Sequence, residues 1–156
     1  MKSLLSENDI ERFARQIVVP DLGASGQEHV CASTLRILGD PIGVRHAETF
    51  ARAVGFRADA NSRDVASCVL VAGIRGFWPD AAVASTSAIF WYEIAHAGLR
   101  FGGATTGASL PRRPRRPTGA CDPLLHSLGA AELVATAVGF VLGWADTETH
   151  YLLDCI

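Results

Sequence analysis

Residues 34–43, TLRILGDPIG, decide how this chain is read. The run TLRILG is short, partly β-branched and closed by Gly39, Asp40 and Pro41, the form of a buried strand that ends in a turn. Directly after it, Ile42, Ala47, Phe50, Ala51 and Val54 recur among Arg45, Glu48 and Arg52, which predicts a helix over 42–54 with Gly55 as its C-cap. Strand, glycine turn and helix in that order form the opening unit of an α/β sheet.

Downstream, FRAD at 56–59 reads as a short second strand. VASCVLVA at 65–72 is a near-continuous apolar run of the kind strands show when helices cover both faces. Residues 80–97 read as a long alanine-rich helix, with Phe90, Trp91, Ile94 and Ala95 on adjoining turns and Gly98 as its stop. LRFGGA returns as a strand, 124–143 is a strongly apolar helix, and 149–155 is a closing strand. This alternation predicts a doubly wound, mainly parallel, Rossmann-like sheet. Upstream, Ile10, Phe13, Ala14 and Ile17 make an amphipathic stripe over 7–16 that Asn8 or Asp9 can cap. Pro20, Gly23 and Gly26 then break the chain before a second short helix from Ser25. The expected organisation is a single domain, with a helical arm at 1–33 and a core at 34–156.

A chain of 156 residues, 49% apolar and 19% charged, has material for one core. Its net charge of −2 provides no overall field to recruit nucleic acid or anionic lipid. Neither an apolar run of about 18 residues nor a signal-like start is seen, which predicts a cytoplasmic protein off the membrane. The cysteines at 31, 68, 121 and 155 are too widely spaced for a metal knuckle and read as reduced, structural thiols. His29, His46, His96, His126 and His150 lack ligand spacing, so no metal is expected. Lys2 is the sole lysine, which excludes a P-loop. The apolar helix over 130–143, with Phe90 and Trp91, predicts more apolar face than the core can cover and hence a dimer.

The segment ERFARQIVVPDLGASGQEHV at 11–30 resembles the opening of the ThiF/MoeB/HesA adenylyltransferases, the ubiquitin-activating-enzyme-like superfamily. Arg12, Phe13, Arg15, Gln16, Gly23, Gly26 and Gln27 fill the R-[YF]-x-R-Q and G-x-x-G-Q places in order. ASCVLVAG, WYEIAHAGLRFGGATTGA, SLGAAELVATAVGFVLG and HYLLD then resemble the family's later strands and helices, with large deletions between them. The resemblance implies ATP on a turn of the form G-x-G-G-[LI]-G, where bare N–H groups and a helix N-terminus cradle phosphate. Here Leu38, Gly39, Asp40 and Pro41 precede Ile42 and Gly43. Asp40 puts negative charge where phosphate would sit and Pro41 removes a donor. No cofactor is therefore expected, although Gly39, Gly43 and Asp59, twenty residues after Gly39, are the positions that would bind a nucleotide. The family's catalytic lysine has no counterpart, and Gly73, Ile74 and Arg75 stand where its metal aspartate would follow the strand.

In this superfamily the arginine of the R-Q pair reaches from the arm into the ATP site of a dimer partner, and in split members an inactive subunit keeps that role. The resemblance gives that part to Arg15; read without it, Arg15 is a helix-face charge able to pair with Glu11. Arg12 reads as structural, its stem beside Phe13. The loop PRRPRRP with Arg112, Arg113, Arg115 and Arg116 corresponds to the region that contacts a carrier protein's tail, and Cys121 to a place where active relatives carry a nucleophile. The expectation is a non-catalytic subunit, homo- or heterodimeric, that associates with an adenylyltransferase or with a ubiquitin-like or peptide carrier. A remodelled enzyme using Asp59, Arg75 or Cys121 on a nucleotide or acyl substrate is the second reading, and a compact homodimeric scaffold the third.

Overall fold

The computed structural model describes residues 5–58, 66–73, 88–95, 98–104, 123–144 and 151–154, the last four as backbone. Its centre is a six-stranded sheet in the order β2-β1-β3-β4-β5-β6. The strands are β1 (Thr34–Gly39), β2 (Arg57–Ala58), β3 (Cys68–Ala72), β4 (Ala88–Ala95), β5 (Gly98–Ala104) and β6 (Tyr151–Asp154). β1 pairs in parallel with β2 and β3, and β3 with β4, whereas β5 runs antiparallel to both β4 and β6. The sheet is thus Rossmann-like and mainly parallel on the side that matters for the site.

The arm begins with α1 (Glu7–Arg12) and α2 (Ala14–Ile17), one stripe broken at Phe13, and continues with α3 (Gly23–Ala32). Ser6, not Asn8 or Asp9, is the N-cap of α1. Its hydroxyl accepts from the Asp9 amide while Asp9 accepts from Ser6 in return, and these bonds to Ser6 hold the Asp9 carboxyl below its ordinary value. The first core helix, α4 (Pro41–Val54), starts one residue earlier than expected, with Pro41 at its first position rather than in the turn, and ends, as expected, on Gly55, at φ +107°.

The largest departure from the sequence reading lies at 88–95, which is strand rather than helix. Phe90, Trp91, Ile94 and Ala95 fit helical spacing, but the run AIFWYEIA is equally two alternating faces. Phe90 and Tyr92 join the core with Leu35, Ile37 and Leu70, whereas Ile89 and Trp91 join Val69 and Val71 on the opposite face. Pairing with both β3 and β5 settles the choice, and the glycines of β5 make room, since Gly103 and Gly102 stand opposite Phe90 and Trp91. Phe90 and Trp91 are consequently buried within the chain and supply no face for association. The exposed large apolar side chains among the described residues are Ile10, Val18 and Val19 on the arm, Leu124 and Leu128 on the last helix, and Trp144 beyond it.

That helix, α5 (Pro123–Val141), buries His126, Gly129, Ala130, Leu133, Val134 and Ala137, one continuous stripe at helical spacing. It is long and apolar enough to cross a membrane by composition alone. The stripe instead packs into the same core as α4 and the sheet face carrying Leu35, Leu70 and Leu99. Gly129 permits that approach: a Cβ there would stand 2.8 Å from the Tyr92 ring.

Gly129→Ala should therefore lower unfolding stability by about 1–3 kcal/mol, because Tyr92 is fully buried and cannot withdraw. Urea denaturation read by tryptophan fluorescence checks this, and an unchanged midpoint would show that α5 is free to shift.

Candidate functional site

In an open α/β sheet the ligand crevice lies outside the carboxyl ends of the parallel strands, where the chain turns to opposite sides. Here that point is between β1, followed by α4 and then β2 on one flank, and β3 on the other. Gly39 and Asp40 close β1, and Gly73 follows β3.

Asp40 dominates this crevice. Its backbone is extended, at φ −65° and ψ 134°, and its side chain caps α4: Oδ1 accepts from the Ile42 amide at 2.9 Å. Its own amide donates to the Ala72 carbonyl at 2.8 Å, which ties the turn to β3. Behind the carboxylate sits His126, fully buried, with Nε2 3.7 Å from Asp40 Oδ1. On its far side, His126 Nδ1 lies 2.9 Å from the Tyr92 hydroxyl. Burial, followed by the nearby Asp40 carboxylate, pushes Tyr92 ionisation well above the ordinary phenol value. Gly43 fits between these groups because an added Cβ would collide with the Tyr92 hydroxyl and the Ala72 carbonyl. Of the positions that would bind a nucleotide, Gly39 and Gly43 are thus at this crevice, and Asp59 lies outside the described residues.

The sequence reading did not find His126 or Tyr92 as a pair. Asp40 followed by Pro41 at the head of an apolar-periodic run was a legible N-cap signal. Tyr92 was concealed by the helical reading of its strand, and His126 by standing on an apolar helix without a ligand-like neighbour in sequence.

At the opposite end of α4, about 20 Å away for a 14-residue helix, the arm is joined to the core. Arg12 Nη2 donates to the Arg52 carbonyl at 2.7 Å, and the buried Gln27 donates through Nε2 to the Val54 carbonyl at 2.9 Å. These are carbonyls of the last helical turn, beyond the reach of i+4 amides of the helix, and that of Arg52 also accepts from the Gly55 amide. Phe13 is buried beside Gly55, and the Arg12 guanidinium lies 4.9 Å from its ring centroid, in keeping with a structural Arg12. A cleft of about 410 Å³ opens here between Asp9, Arg12, Glu28, Cys31 and Arg57. Arg15 lies outside it, exposed on α2 near the exposed Val18 and Val19. Among the described residues no ion pair joins it to Glu11. Arg75, Cys121 and the arginines at 112, 113, 115 and 116 lie outside the described residues. Among the described residues no cluster of side chains could hold a metal ion. Cys68 is buried in β3 and its thiol is pushed up to about 12 by that burial, the property of a packing residue.

No protein-family model matches the sequence. Adenylyltransferase and sulfurtransferase MOCS3 of Dictyostelium discoideum is 49% identical over 35 residues, which span 22% of this chain and 8% of that protein. A selenomethionine crystal structure of PaaA superposes with a TM-score of 0.68 at 10% identity, covering 99% of this chain and 85% of that one. E. coli MccB with succinimide gives 0.65 at 10% identity, covering 92% and 71%. A heterocyclase in complex with substrate and cofactor gives 0.58 at 10% identity, covering 88% of this chain and 25% of that one. The chain has a ThiF/MoeB-like adenylyltransferase fold.

Cys68 and Tyr92 give the fold an alkaline limit. Both ionise more readily in the unfolded chain, so their stabilising effect is complete below the unfolded thiol value of 9.0 and is lost as pH rises toward the folded values. Unfolding free energy should fall by about 1.4 kcal/mol per pH unit per group above roughly pH 9 to 10. Urea titrations across that range test it, and Cys68→Ala should shift the onset upward to that of Tyr92. A flat profile would contradict the burial of both groups.

Proposed function

We propose that this chain is a non-catalytic subunit built on a ThiF/MoeB-like fold, which associates with an adenylyltransferase or with a carrier protein or peptide in a biosynthetic pathway. The observation that carries this reading is the Asp40 carboxylate seated on the first free amide of α4. That is the position where a phosphate would draw on helix-terminal N–H groups. A carboxylate there repels phosphate and competes for its donor, and Pro41 supplies no N–H to replace it. The residues at this turn do not fit a triphosphate. The absence of any lysine after Lys2 supports the same conclusion, since it leaves no amine to neutralise phosphate in the core.

The arm supports the second half of the reading. It is fastened to α4 through Arg12 and Gln27, yet Arg15, Val18 and Val19 face outward. An exposed guanidinium on a fixed scaffold, with apolar neighbours to seal a contact, suits a charge delivered to another protein's site. Two neighbouring structures are of E. coli MccB crystallised with MccA or an MccA derivative, and a bound second molecule of that kind is consistent with a peptide or protein as the third component of such an assembly. A homodimer and a heterodimer with an intact adenylyltransferase both suit this arm, and a cytoplasmic setting suits the reduced thiols.

The purified protein is expected to bind ATP with magnesium no tighter than millimolar and to exchange no pyrophosphate into it. Calorimetry decides this, and a micromolar dissociation constant would overturn the non-catalytic reading. Within a reconstituted complex with its adenylyltransferase, Arg15→Ala should leave folding and association intact, since an exposed charge usually changes stability by about 0.5 kcal/mol or less. The partner's adenylation rate should fall at least about tenfold, and Arg15→Lys should recover only part of it, because an ammonium lacks the bidentate geometry. A full rate with the alanine variant would reduce the arm to an association element.

A further inference from the structure

The contacts of His126 join three separate elements: the turn before α4, strand β4 and helix α5. The Tyr92 hydroxyl stands 2.9 Å from Nδ1 and also 3.4 Å from the His126 carbonyl oxygen. This gives it two roles. With a neutral imidazole carrying its proton on Nε2, the hydroxyl donates to Nδ1. With an imidazolium, Nδ1–H donates to the hydroxyl oxygen, whose own proton turns to the His126 carbonyl. Both states direct Nε2–H toward Asp40, and neither requires a heavy atom to move. The ring is closely enclosed, since a Cβ on Gly73 would stand 2.7 Å from its Cε1 and one on Gly43 would stand 3.1 Å from Nδ1.

We infer that Asp40, His126 and Tyr92 form a proton-linked clasp that fastens the first turn of α5 to the start of α4 and tightens when His126 takes up a proton. Uptake of a solvent proton converts the 3.7 Å contact with Asp40 from a dipole against a carboxylate into an ion pair in a dry setting. Asp40 from the turn and Tyr92 from β4 face the ring. On α4, Arg52 pairs with Glu48, Arg45 is exposed, and the half-buried His46 stacks on Phe50. Arg100 on β5 pairs with Glu93 on β4. Cys68 lies at the opposite end of β3 from Gly73, and α3 meets α5 at its far end, where Gly26 lies near Leu142. The raised ionisation of Tyr92 keeps its hydroxyl proton available for either role. The clasp does not depend on the proposed partner, because every group in it belongs to this chain.

The test follows the His126 ring signals by NMR over about pH 4 to 9 in the intact protein and in Asp40→Asn. The wild-type midpoint should lie at least about one pH unit above that of the variant, the direction that a carboxylate at this distance imposes. Amide exchange at Ile42 and Gly43, corrected for intrinsic rate, should slow at least about threefold as pH falls through the wild-type midpoint, and this change should be absent from the variant. Asp40→Ser keeps an N-cap without the charge and serves the same comparison if the asparagine variant folds poorly. Coincident midpoints, a higher midpoint in the uncharged variants, or a wild-type ring that does not titrate across the range would each overturn the clasp.

Discussion

The hydrogen bond from the Ile42 amide to the Asp40 carboxylate is the contact around which this structure is arranged. An α-helix that begins at a strand's carboxyl end must satisfy its first amides somehow, and nucleotide-binding members of such folds leave that task to a phosphate. In this chain the task is internal. The carboxylate also complements the positive end of the α4 dipole. Once it is present, the space behind it can be filled by protein, and His126, Tyr92 and the small residues Gly43, Gly73 and Gly129 fill it.

The same helix is completed at its other end by the arm. Arg12 and Gln27 take the carbonyls of Arg52 and Val54, and Gly55 turns the chain away in the left-handed conformation. Part of the motif that resembles the adenylyltransferase opening therefore has a direct mechanical meaning here: Arg12, Phe13 and Gln27 join arm to core. Arg15 is its exception. It stands in the same short segment but turns outward, where no described group engages it. Among the described residues Arg15 is therefore the member of the motif that does not join arm to core.

What the sequence revealed and what it concealed divide along a physical line. β1, α4 with its Gly55 stop, β3 and α5 were legible because each carries a single apolar pattern, periodic in α4 and near-continuous in β3. The strand at 88–95 was not, because consecutive apolar residues satisfy helical spacing and strand alternation at once, and only pairing with β3 and β5 distinguishes them. That misreading also produced the expectation of an uncovered Phe90 and Trp91. The N-cap of α1 shifted from Asn8 or Asp9 to Ser6 for a smaller reason, since Asp9 three residues on is the reciprocal half of a capping box and not its first member. The crevice was half legible: Asp40 announced its charge, but the partners of that charge come from β4 and α5, remote in sequence and invisible to any local pattern.

Magnitudes decide which of the two turn substitutions matters more. Proline at the first helical position removes an N–H that a helix does not use, so it costs the fold little, and a phosphate loses one donor of roughly 0.5–1.5 kcal/mol net, or about 1.5–3 kcal/mol to a charged acceptor. A carboxylate about 4 Å from a phosphate charge opposes it by about 4 kcal/mol at the effective dielectric near a protein surface, and the charges of a triphosphate compound that term. The repulsion therefore outweighs the missing donor. On the proposed reading, exchanging Pro41 alone leaves the Asp40 charge in place, whereas exchanging Asp40 removes that charge and releases the Ile42 amide together.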